Sequence, residues 1–196
     1  MFEQFRKYFT PDRARSDDAD ATVPLNVDVS GWNEFFSEFS GCSFNDGLYR
    51  IFGSKSMEKW NEIVSSSFSI PSDSLACFGY DWLGRVFALD FDRSEAGEPL
   101  ILMFEPGTGD ALEVPASFVE FHEVELKVHK TECLEPEYYD EWLSSGNEPL
   151  PHDRCAGYKV PLFLGGEDAV GNLELSDMEV YWVVLGQVLQ QIQGKS

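Results

Sequence analysis

Two histidine–cysteine pairs are the first residues whose spacing could do chemistry: His129 and Cys133 lie four apart, and His152 and Cys155 three apart. These are zinc-ligand types, and one turn of helix brings such positions to one face. The stronger zinc patterns pair close cysteines, however, and Cys42, Cys77, Cys133 and Cys155 contain no CxxC. Buried thiols behaving as small hydrophobes account for them equally well, so neither a metal nor a cofactor is expected. Gly165-Gly166 follows an apolar run and invites a phosphate, but it lacks the GxGxxG spacing and a lysine. Glu167 and Asp168 beside it would repel the anion. No serine sits in a GxSxG elbow, and three scattered histidines outline no triad. Asp17, Asp18 and Asp20 do not follow calcium-loop spacing. A carboxylate pair acting as general acid and base fits so acidic a chain, but sequence gives no distances. No catalytic residue is assigned. A hydrolase with an unlocalised carboxylate pair stands as the alternative to a binding protein.

Binding chemistry has two better candidates. The run Phe78-Gly79-Tyr80-Asp81-Trp82-Leu83-Gly84-Arg85 gathers aromatics around two glycines at a strand reversal. Aromatics held at a turn beside a charge are typical anchors, which makes Tyr80, Asp81 and Trp82 candidate partner contacts. Glycines that permit the bend and aromatics that fill the core explain the same run structurally. From Gly165 to Glu179 there are five acids, Glu167, Asp168, Glu174, Asp177 and Glu179, and no base. Asp177 and Glu179 suit a helix's first turn, where the amide dipoles favour negative charge. Glu167 and Asp168 have no such local reason, and they are candidate contacts, weighed against a merely solvated loop.

The elements that must position these residues change period along the chain. Phe2, Phe5 and Phe9 recur at helical spacing, and the polar segment from Thr10 to Ala21 reads as a loop or linker. Ser30 can cap a helix carrying Trp32, Phe35, Phe36 and Phe39, with Gly41 ending it. Asn45-Asp46-Gly47 is a turn feeding a strand from Leu48 to Phe52, and Ser54 or Ser56 caps a helix through Met57, Trp60, Ile63 and Val64. Leu75 to Tyr80, Arg85 to Phe91, Leu100 to Phe104 and Ala111 to Val114 then read as four strands. Their connections are too short for parallel crossover, so the sheet is antiparallel. Ser117 and Glu120 form a capping box, and the stretch through Lys130 fits helix or strand. Glu137 to Leu143 reads as a short helix, and Tyr158 to Leu164 as an edge strand interrupted by Pro161. Ser176 with Glu179 opens a terminal helix with Met178, Tyr181, Leu185, Val188 and Ile192 on one face and Gly194 beyond its end. The fold class is α+β: a central, mostly antiparallel sheet flanked by helices, with the C-terminal amphipathic helix packed on the sheet. Residues 1–29 are expected to form a helix and polar linker. Residues 30–196 form the α+β unit, divisible into two tightly fused parts, 30–130 and 131–196.

Composition limits the function further. Thirty-five acids against fourteen bases give a formal charge of -21, whose sign opposes nucleic acid, bound through Lys and Arg. The exception is a protein that imitates nucleic acid towards a nucleic-acid-binding partner. The N-terminus lacks a signal-peptide pattern, no stretch reaches the roughly 18 apolar residues of a membrane span, and the cysteines are widely spaced. A cytoplasmic location without direct membrane binding is expected.

Specific stretches also resemble a known family. Tyr158-Lys159-Val160-Pro161-Leu162-Phe163-Leu164-Gly165-Gly166-Glu167-Asp168, followed by Asn172 to Trp182, closely resembles the C-terminal domain of bacterial type VI secretion immunity proteins. Named members of that family protect cells against DNase effectors. Phe44-Asn45-Asp46-Gly47-Leu48-Tyr49 and Phe78 to Arg85 resemble their GAD-like N-terminal part. The resemblance implies a non-enzymatic protein that neutralises a cognate toxin by occluding its active site or assembly. Immunity is the firmer implication and a DNase target the weaker one. A general protein-interaction module is the broader alternative. The family supplies no catalytic residues to carry over.

Overall fold

Short connections and apolar runs give an antiparallel meander, taken up in chain order. The structure is a computed structural model that describes residues 1–16 and 27–193. After α1 (Glu3–Tyr8), β1 (Pro11–Arg15) starts the sheet; α2 (Trp32–Phe39) leads into β2 (Cys42–Phe44) and β3 (Tyr49–Ile51). The next helix, α3 (Met57–Phe68), returns the chain to β4 (Leu75–Asp81), β5 (Val86–Glu95), β6 (Glu98–Glu105) and β7 (Asp110–Val114). These seven strands lie side by side in sequence order, antiparallel at every pairing. A helical run follows: α4 (Phe118–Glu120), a π-helical turn (Phe121–Glu125), α5 (Leu126–Val128) and α6 (Lys130–Leu134), then α7 (Pro136–Ser144). The separate pair β8 (Arg154–Tyr158) and β9 (Leu173–Asp177) precedes α8 (Met178–Gln193).

β4 is buried at every position, and β5 from Val86 to Asp90, because both faces of the sheet are covered. This explains why these strands read as continuous apolar runs rather than alternating ones. On one face Phe78 and Phe87 meet Phe121 at 5.8 and 5.2 Å between ring centroids, and α1 and α2 add Phe2, Phe5 and Phe35. On the other, Phe52 stacks on Trp60 and Tyr80, Phe68 meets Phe104, and Trp182 of α8 joins Trp60. The terminal helix lies against α3 and the small β8–β9 sheet. Its core side is Met178, Tyr181, Trp182, Leu185 and Leu189, while Val188 is half-buried and Ile192 exposed.

Several local expectations are corrected. Residues 11–15 of the expected loop are a strand paired with β2; Asp17, Asp18, Asp20 and Gly194 lie outside the described residues. Ser30 does not cap α2: its backbone and hydroxyl bond Glu98, and Gly31, at φ 75°, takes the cap position. Ser56 opens α3 without a side-chain cap, its hydroxyl bonding Gly53 O instead. Ser117 does cap its helix, accepting from Glu120 N at 3.3 Å, and the ambiguous stretch after it is helical. The strand expected from Tyr158 to Leu164 ends at Tyr158, and Pro161, which has no N–H to continue a ladder, opens a 3-10 turn at Leu162–Leu164. Asp177, not Ser176, caps α8, accepting from Val180 N at 3.0 Å.

His122 sits inside the aromatic layer, 1% exposed. Its Nδ1 faces the carbonyl of Phe118 at 2.8 Å, which can only accept, so Nδ1 carries the proton and Nε2 accepts from the Tyr49 hydroxyl at 3.1 Å. Burial lowers its pKa to about 3. Above pH 6.5 folded and unfolded chains both hold it neutral. Below, only the unfolded chain takes the proton, so this group removes roughly 1 kcal/mol of stability per pH unit on the way down. Urea titrations from pH 7 to 4 should show that slope in the parent relative to His122→Phe. Parallel curves would mean His122 ionises in the folded protein.

Candidate functional site

The turn between β4 and β5, which holds three of the candidate contacts, faces inward. Tyr80, Asp81 and Trp82 are 4%, 0% and 0% exposed. They join the large sheet to the C-terminal third of the chain instead of presenting a surface. The Tyr80 hydroxyl donates to His152 O at 2.5 Å, and the Arg50 guanidinium covers the Tyr80 ring at 4.5 Å. Trp82 Nε1 donates to Leu134 O at 2.9 Å, and Trp82 O accepts from Ala156 N at 2.8 Å. Asp81 accepts from Leu83 N and Arg85 N, which fix the turn, and from Arg85 Nε at 2.6 Å. Arg85 reaches on to Glu135 at 2.5 Å and Cys133 O at 3.2 Å. Sequence could place these aromatics and charges at a bend, but not tell an inward bend from an outward one.

The same cluster bears on catalysis. Burial pushes the carboxyls of Asp81, Glu105 and Glu135 above their usual range, with Arg85 pulling each back. Burial opposes the charge on Arg85, but these acids outweigh it and keep the guanidinium protonated. The carboxylates thus neutralise one arginine, and Asp81 and Arg85 are closed off from solvent. For the metal reading, Cys133 and Cys155 are buried, and burial pushes both thiols up to about 12, away from the ligating thiolate. Among the described residues no three of His, Cys, Asp and Glu gather as metal ligands would.

Glu167 and Asp168 are exposed, as the second candidate required. Their loop is braced from within. Asn172 Nδ2 donates to Val160 O at 2.8 Å and Glu167 O at 2.9 Å, and the Tyr158 hydroxyl donates to Asp168 at 2.7 Å. Gly166 is required by a close approach: a Cβ there would stand 1.9 Å from Val160 O. The loop adjoins a groove of about 430 Å³ between β9 and α8, with Leu164 in its lining. Its apolar lining is open to solvent, with Leu164, Leu175, Val180 and Val184 each half or more exposed. Glu174 and Asp177 line it too. Sequence reading did not find this groove. The available signal is a second apolar stripe on α8, Val180, Val183 and Val184, beside the buried one.

Residues 116–189 match the family described as T6SS immunity protein Tdi1, C-terminal. This segment is similar to the C-terminal domain of a type VI secretion immunity protein. No curated protein matches the chain. The crystal structure of Atu4351 from Agrobacterium tumefaciens is similar at a TM-score of 0.60 and 15% identity, covering 95% of this chain and 89% of that one. At that identity the likeness shows a shared fold and nothing finer. The matched segment contains both the acidic loop and the groove, whereas the Tyr80–Trp82 turn lies before it and bonds into it. No helix is long and apolar enough to cross a membrane among the described residues.

Proposed function

We propose that this protein is an immunity protein of the cytoplasm that binds a cognate type VI secreted toxin and occludes its active site or assembly. The observation that carries the reading is the family match over residues 116–189. The charge of -21 supports a nuclease as that toxin. A nuclease must hold phosphates in a basic channel, and a strongly acidic partner is drawn to the same surface. Such steering raises association rates by about 10-fold or more, while apolar contacts secure the fit. Exposed Glu167 and Asp168 supply charge, and Asp168 bonds Tyr158, which also lines the apolar groove.

Co-expression with the toxin encoded by the adjoining gene tests the role. Survival and a one-to-one complex are expected; continued killing with no complex would overturn it. The charge component is tested separately. Glu167→Lys together with Glu174→Lys should slow association by about 10-fold at low salt and flatten its salt dependence, with little change in melting temperature. Neither glutamate makes an ion pair among the described residues, whereas Asp168 also holds Tyr158. Unchanged association kinetics at low salt would remove this face from the encounter.

A further inference from the structure

The small sheet has one side already taken. Lys159 N donates to Asn172 O, and Met178 N to Asp153 O, at the two ends of the β8–β9 ladder. With Cys155 opposite Ser176 and Gly157 opposite Glu174, these set which residues exchange hydrogen bonds, because antiparallel pairs alternate. The residues between them point their backbone groups outward. On β8 that outward group is used: Ala156 N donates to Trp82 O. On β9 the equivalent residues are Leu175 and Asp177, and among the described residues β9 pairs with β8 alone. Leu175 is 57% exposed, and no loop backbone among the described residues bonds it from the outer side. The groove walled by Val180 and Val184 runs beside it.

An open edge is a template for another strand, and acids on it repel further copies of the same chain. Glu174 does so here, whereas Asp177 is engaged by Arg154 and by the α8 cap, in a molecule whose charge of -21 also opposes self-association. Lys159, also in the groove lining, is turned to Gly171 O, so among the described residues Glu174 is the unpaired charge of the strand and favours a segment that brings lysine or arginine. We infer that the outer edge of β9 takes up an extended segment of the toxin, in which basic residues alternate with apolar ones that fill the groove. The inference rests on the immunity reading and specifies where and how the partner binds. Main-chain bonds to Leu175 and Asp177 supply affinity, and the groove supplies selection.

Proline at 175 is the discriminating change. It deletes an N–H that points away from β8, so the existing ladder keeps its bonds, whereas an added strand loses a donor and meets the ring. With the full chain and the catalytically inactivated product of the adjoining toxin gene, Leu175→Pro and Leu175→Lys should each weaken binding at least about 10-fold. Leu175→Thr, which keeps strand preference, should weaken it less. Hydrogen exchange supplies a second readout: the amides of 175 and 177 should become protected in the complex, while those of 174 and 176 are protected already. If the proline variant fails to fold, the lysine variant and the exchange data decide. Parent-like binding by Leu175→Lys, or equal exchange at 175 and 177 in free and bound protein, overturns the edge assignment while leaving immunity intact. A parent that neither binds nor protects overturns both. A complex of two copies of this chain through β9, with no toxin bound, would assign the edge to self-association and refute the inference.

Discussion

Arg85→Met is expected to remove about 3–5 kcal/mol of folding stability, a fifth or more of the roughly 5–15 kcal/mol a folded domain commonly has. The reason lies in what the substitution leaves behind. Asp81 is wholly enclosed and receives the Arg85 Nε at 2.6 Å, while the other end of the guanidinium serves Glu135 and Cys133 O. Methionine fills much of the same volume but strands a buried carboxylate, a half-buried glutamate and a carbonyl. Lysine is no substitute, because a single ammonium cannot reach three acceptors that a planar fork spans. The double variant Arg85→Met, Asp81→Leu should recover part of the loss, since a buried pair replaced by apolar groups is often neutral. Recovery will be incomplete, because Asp81 also accepts from Leu83 N and Arg85 N and shapes the turn. Urea titrations of the parent, the two single variants and the double variant give the coupling directly. A loss under about 1 kcal/mol for Arg85→Met would show that water or a rearranged turn compensates Asp81, and that the cluster does not clamp the helical segment at Cys133–Glu135 to the sheet.

The order of elements was legible wherever a local pattern and the tertiary structure agree. Asn45-Asp46-Gly47 turns, Ser117 caps, and the four central strands pair as their short links demand. What was not legible depends on contacts distant in sequence. Residues 11–15 look polar enough for a loop, and only β2, some thirty residues on, makes them a strand. Ser30 has the right chemistry for a cap, but Glu98, 68 residues away, competes for it. Pro161 reads as lying within a strand, but that strand ends at Tyr158 and Pro161 opens a 3-10 turn. The candidate site divides in the same way. Exposure of Glu167 and Asp168 follows from a glycine-rich acidic loop, whereas the inward turn of Tyr80–Trp82 is set by Leu134, His152 and Glu135, which no local pattern reveals. The groove is not legible because the spacing of Met178, Tyr181, Leu185, Val188 and Ile192 marks only one face of α8, while Val180, Val183 and Val184 form a second apolar stripe that a helix can leave for a partner.

Two substitutions at Trp82 separate a structural anchor from a binding anchor. Trp82→Ala should cost about 3–5 kcal/mol, since it empties a site enclosed by Tyr138 and Tyr139 and leaves the Leu134 carbonyl without its indole donor. Trp82→Phe keeps most of the packing and loses chiefly the hydrogen bond, so it should cost about half as much. Both changes act on the junction between the sheet and α6–α7, and both should lower the melting temperature. Toxin affinity should behave differently. With none of Trp82 exposed, the folded fraction of each variant should bind the toxin within about 3-fold of the parent when measured cold, well below its melt. Protection in cells would then fall only as the unfolded fraction grows. The opposite pattern is equally readable. If Trp82→Phe melts like the parent yet binds about 10-fold more weakly, the turn must open to meet the toxin, and the indole is part of the interface after all. Calorimetric melts and cold binding titrations on the two variants decide between these outcomes, because packing loss moves the first measurement and contact loss moves the second.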